Sequence, residues 1–169
     1  MNDAEFWKII RQAGSEADGD LDAIIGAVHE QLTKLTPSEI KSFNAIMGAK
    51  VAAAYTWKLW GAAYLMNGGC SDDGFEYFRG WLVAQGKSVY EAALADPDSL
   101  AKIADPENDE YECEEILYVA MNAYEEVAGE DLDLTPSAEA PKPSGDEWDF
   151  EDPDENAKYL PRLARKFSL

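Results

Sequence analysis

TPSEIKSFNAIMGAKVAAAYTWKLWGAAYLMNGG, residues 36–69, decides the fold. Thr36 stands three residues before Glu39, the spacing of a capping box, and Pro37 falls where a helix needs no backbone N–H. Ile40, Phe43, Met47, Val51 and Ala54 then recur every three or four residues, which gives a helix one apolar face. Asn67-Gly68-Gly69 ends it, because glycine enters the left-handed cap conformation at little cost. The spacing predicts one helix from Pro37 to about Met66. Some thirty residues at 1.5 Å each span roughly 45 Å, which is long for a small domain and leaves room for a kink.

The same period continues on both sides. Residues 3–13 place Phe6, Ile9, Ile10 and Ala13 on one face, and residues 20–35 do so with Leu21, Ile24, Ile25, Val28, Leu32 and Leu35. Ser71-Asp72-Asp73 predicts the start of a helix that runs to about Gln85, with acids against the positive end of its dipole. Ser88 and Glu91 predict a capping box for a short helix before Pro97. Residues 108–128 read as a last helix, with Cys113, Ile116, Leu117, Ala120, Tyr124 and Val127 inward. No stretch alternates as a strand does. The expected fold class is all-α, a compact helical bundle of about five to six helices with an extended acidic C-terminal arm.

Charge divides the chain differently. Of 34 acids and 14 bases in 169 residues, positions 96–155 hold 22 acids and 2 bases, and positions 156–169 hold no acid and 4 bases. The organisation read from this is a helical domain over 1–128, an acidic Pro-containing linker or arm over 129–155, and a basic tail over 156–169 that packs back on the body. Trp148 and Phe150 are the residues able to pin the arm. A formal net charge of -20 argues against nonspecific nucleic-acid binding and against an anionic membrane surface. No apolar run approaches the ~18 residues of a membrane span, and the first residues predict no secretory signal. Two cysteines fit a reducing cytoplasm better than a disulfide scaffold.

The stretch from Tyr55 to Trp81 is the candidate site. Trp57, Trp60 and Tyr64 share a helix face that leads to Asn67, and Cys70, Asp72, Asp73 and Arg79 follow. Structurally, these residues make a core stripe, a tight helix junction and a cap. Functionally, they make a pocket lined by aromatics: Asp72 or Asp73 as general base, Arg79 for an anionic group, and tryptophans that stack on a planar ligand. Glu76, one turn before Arg79, is its expected partner. Cys70 is a poor nucleophile because the adjacent aspartates oppose a thiolate.

WKLWGAAY at 57–64, NGGCSDDGF at 67–75 and YFRGWL at 77–82 closely resemble the bacterial domain of unknown function 4240. Phe6-Trp7, the Tyr90–Leu100 stretch and Leu160-Pro161-Arg162-Leu163 are similar too. The resemblance implies a soluble bacterial protein and carries no catalytic residue to transfer.

Other chemistries find little footing. His29, the only histidine, sits at the edge of an apolar face. Two cysteines and one histidine do not make a zinc site, and Asp105, Glu107, Asp109 and Glu110 lack the spacing and turn glycine of a calcium loop. No metal site and no cofactor are expected, and no phosphate loop occurs. The favoured reading is a noncatalytic acidic binding protein, inhibitor-like or immunity-like, with a basic protein partner contacted by Glu112, Glu114 and Glu115. The alternative is a small enzyme or small-ligand binder using the 57–81 junction.

Overall fold

Glu39 and Thr36 form the capping box reciprocally, each side chain accepting from the other's backbone N–H, and the helix they open decides how everything else packs. The computed structural model describes residues 1–17, 19–133 and 142–167. Among these are nine α-helices and one 3₁₀ helix: α1 (Asp3–Ala17), α2 (Leu21–Leu32), α3 (Pro37–Ala53), α4 (Trp57–Asn67), α5 (Asp72–Ala84), α6 (Lys87–Ala95), the 3₁₀ helix Pro97–Lys102, α7 (Glu115–Ala128), α8 (Pro153–Tyr159) and α9 (Pro161–Lys166). The fold class is all-α, with more and shorter helices than the five to six expected.

The single helix expected over 37–66 is two. Thr56 takes an extended conformation and caps α4 by accepting from Leu59 N–H. The Val51 carbonyl, freed at the end of α3, is taken by a distant donor, Arg79 Nη1, at 2.9 Å, while Lys50 O accepts from both Ala54 N–H and Tyr90 OH. Ser144 enters the break as well. Its N–H donates to Tyr55 O, and its carbonyl accepts from Trp57 N–H, making an isolated parallel bridge with Thr56. A continuous helix would have used the Tyr55 carbonyl and the Trp57 N–H that Ser144 takes.

Two other boundaries move. α6 begins after Gly86, whose carbonyl accepts from Tyr90 N–H, so Ser88 lies inside the first turn and the expected Ser88–Glu91 box does not form. α7 begins at Glu115 rather than 108, because the preceding residues are held extended across α5. Tyr111 N–H donates to Asn67 Oδ1, and Cys113 N–H donates to Tyr77 O. Gly80 permits that crossing: a Cβ there would lie 2.6 Å from Cys113 O.

α1 pairs with α2, and α7 lies against α2 and α3. Phe6, Phe43, Phe75 and Phe78 are fully buried at the centre. Each contributes roughly 1.5–3 kcal/mol of transfer free energy. The C-terminal arm is not a bare extended segment where it is described. Residues 142–152 run along α4 without regular helix, and Asp152 then caps α8 by accepting from Asp154 and Glu155 N–H. Trp148 is buried over Gly61, stacks on Tyr159 at 4.4 Å and donates its Nε1–H to Asn156. α9 is tied to the 3₁₀ helix, where Arg162 bonds Asp96 and Asp98. The part of the expected arm over 134–141 lies outside the described residues.

Candidate functional site

The α4 stripe forms as the helical spacing requires, and the chain covers it itself. Trp57 and Trp60 stack at 5.3 Å, and Trp60 stacks on Phe75 at 4.9 Å. Trp60 donates its indole N–H to Cys70 O at 3.1 Å, satisfying its polar end. Phe150 of the arm roofs all three expected ligand contacts, 6.2 Å from Trp57, 6.5 Å from Trp60 and 5.6 Å from Tyr64. The rings that could stack on a planar ligand stack on one another.

At the junction the structure brings some candidates together and parts others. Asn67 holds Tyr111 N–H through Oδ1, and its Nδ2 is buried without a partner. Cys70 is half-buried beside it, and its thiol pKa is pushed up to about 12 by burial first and then by Glu112, against the pull of Arg79. No thiolate forms there near neutrality. Ser71 caps α5, and Asp72 and Asp73 stand exposed in its first turn. Arg79 is 9% exposed. It bonds carbonyls rather than Glu76, donating Nε–H to Phe75 O and Nη1–H to Val51 O. Its guanidinium lies over the rings of Tyr55 and Phe75, and burial lowers its pKa from the usual arginine value. Arg79 and Asp72 both act on the Cys70 thiol, but Arg79 is buried while Asp72 and Asp73 are exposed. His29 faces Glu126 Oε2 at 3.4 Å instead. Among the described residues no group of three or more His, Cys, Asp or Glu is placed to hold a metal ion.

Charge converges elsewhere. A cleft of about 570 Å³ opens between the start of α2 with the loop before it and the segment 108–115 that leads into α7. Asp20, Asp22, Glu110, Glu112 and Glu115 line it, and among the described residues no lysine, arginine or histidine does. Trp81 and Tyr111, packed edge-to-face at 5.2 Å, form part of its wall. Glu112 is half-buried, with Oε1 set where a Cβ on Gly74 would lie 2.9 Å away. Burial, and then the like charge of Glu110, push its carboxyl above the usual carboxylate range. Glu114 points away, onto the Tyr77 hydroxyl. Thus two of the three acids read from the sequence as partner contacts share this cleft. Asp20 and Asp22 were missed because only the fold brings the α1–α2 loop to the 108–115 segment.

The model of a family described as "Protein of unknown function (DUF4240)" matches residues 1–126. The chain belongs to the DUF4240 family. No curated protein and no solved structure matches it. In this DUF4240 protein the match takes in α1 through most of α7, the aromatic stripe and every residue of the acidic cleft. Phe150, Trp148, α8 and α9 lie outside it. Among the described residues no helix is long and apolar enough to cross a membrane.

Proposed function

We propose that this protein is a noncatalytic binding protein whose acidic cleft takes a basic segment of a protein partner. One observation carries the reading: five acidic residues line one concave surface, with no base among the described residues there. A carboxylate held half-buried beside a like charge gains more from an arriving cation than a solvated one does. The wall of Trp81 and Tyr111 offers apolar surface to the stem of a lysine or arginine. A small enzyme is less well supported, since Cys70 is kept protonated and Arg79 is spent on backbone carbonyls. A reducing compartment such as the cytoplasm suits two free thiols.

The test is a pull-down from lysate with the tagged chain at low and high salt, repeated with Glu110→Lys/Glu112→Lys/Glu115→Lys. The expected result is a stoichiometric basic protein recovered at low salt by the wild type and lost from the variant. A partner whose recovery ignores both salt and charge reversal defeats the proposal.

A further inference from the structure

A second cleft, of about 600 Å³, lies between the end of α4, the arm and helices α8 and α9. It shares no lining residue with the acidic cleft. Its walls are mostly apolar, with Tyr64, Leu65, Phe150, Pro153, Ala157 and Phe167 among them. That volume falls within the ~300–1,000 Å³ of small-ligand sites. Asn156 belongs to the wall and is held at both ends of its amide, accepting from Trp148 Nε1–H and donating to Phe150 O, so it fixes the wall's shape.

The rim gives the cleft a sign. Arg165 lines it and also lines an adjoining concavity of about 450 Å³ whose other residues are Ala101, Lys102, Arg162 and Lys166. Arg162 is committed to Asp96 and Asp98. Lys166 donates to Ala101 O, which fixes its ammonium beside Lys102 and Arg165 with further N–H donors to spare. In a chain of net charge -20, bases are thus gathered beside one end of an apolar cleft, and among the described residues Glu151 is the one acid lining it. Screening confines the rest of the protein's negative field to about 8 Å at physiological salt, so these neighbours decide what binds.

We propose that this cleft binds a soluble amphiphilic carboxylate, its apolar body between α4 and α8 and its carboxylate at Lys102 and Lys166. The fold prepares the site, because the Arg162–Asp98 contact holds α9 in place before any ligand arrives.

Calorimetric titration of the full chain with octanoate, octan-1-ol and octyltrimethylammonium tests this. Octanoate is expected to bind at least tenfold more tightly than the other two, and hexanoate, octanoate and decanoate to gain about fourfold per methylene. Ala157→Trp fills the cleft from an exposed position and is expected to weaken octanoate at least tenfold. Lys102→Glu/Lys166→Glu changes surface lysines only and is expected to abolish the preference for octanoate over the quaternary amine. Equal binding of the three probes overturns the proposal, as does an unaltered octanoate affinity in Ala157→Trp or a preference that survives the lysine reversals. Cosedimentation with phosphatidylglycerol vesicles that octanoate does not relieve also overturns it, in favour of a membrane surface.

Discussion

Asp98 receives the C-terminal arm through Arg162: the guanidinium Nε donates to Asp98 Oδ2 at 2.8 Å, and the backbone N–H groups of Arg162 and Leu163 donate to the same carboxylate. Asp98 is 3% exposed, so this is a buried acceptor with three donors from one short helix. Burial pushes its carboxyl pKa up. The bonds from the Arg162 side chain and from the Leu163 and Arg162 backbone outweigh burial and leave it below the usual range. The fold therefore favours the ionised form. Its stabilisation is complete above the unfolded value of about 3.9 and is lost as pH falls through the lower folded value. Asp98→Asn is expected to cost about 2 kcal/mol at pH 7, on the order of 4–8 °C in Tm. Thermal melts should show the gap to wild type narrowing as pH drops below about 4. A gap that does not depend on pH would mean that Asp98 acts by shape alone.

Gly61 lets the arm lie on α4. An added Cβ would come within 2.7 Å of Trp148 Cη2 and 3.2 Å of Phe150 Cε1. Trp148 cannot swing aside, since its ring stacks on Tyr159 and its Nε1–H is bonded to Asn156. Gly61→Ala is expected to lose about 1–3 kcal/mol through overpacking, with faster amide exchange confined to the arm and α8. Gly48→Ala meets nothing within 4 Å and serves as the control. It is expected to gain about 0.5–1 kcal/mol from helix propensity. Faster exchange in α1–α3 rather than in the arm would contradict the assignment.

The two thiols offer a chemical check of the junction. Burial is the first cause at both Cys70, raised to about 12, and Cys113, raised to about 11. Alkylation at pH 8 is expected to leave both unlabelled in the native protein and to label both on unfolding. A raised folded pKa stabilises the fold below the unfolded value of about 8.5, and that contribution is lost as pH rises through the folded one. Cys70→Ser/Cys113→Ser should therefore lose less stability between pH 8 and pH 10 than the wild type. Rapid native labelling of Cys70 would revive it as a nucleophile.

The helical class was legible because helix signals are local. Thr36 with Glu39, the glycine at 68 and Ser71 each act within one turn of themselves, and each caps as its spacing implies. The break at Thr56 was not legible, because its partners are Arg79 and Ser144, which only the fold brings near. Residues 108–113 carry helical periodicity but are held out of a helix by Asn67 and Tyr77, so tertiary hydrogen bonds override propensity there. The same limit applies to the sites. The Trp57, Trp60 and Tyr64 face is visible in the spacing, whereas its roof, Phe150, is not. Arg79 among aromatics suggested a carboxylate partner, and the carbonyl of Val51 takes that place.

Glu112 separates binding from stability in the acidic cleft. Burial and then Glu110 raise its folded pKa, so its contribution to stability is present below the unfolded value of about 4.3 and lost as pH rises through the folded one. At pH 7 the ionised side chain thus works against the fold, as the proposed role in binding a basic partner would require. Glu112→Gln preserves shape beside Gly74 while removing the charge. Its Tm at pH 7 is expected to rise above that of the wild type, with the advantage vanishing below about pH 4. Its affinity for a basic partner is expected to fall in the same preparation. A lowered Tm would mean that the carboxylate holds the first turn of α5 in place, and the cleft's charge would then belong to the fold.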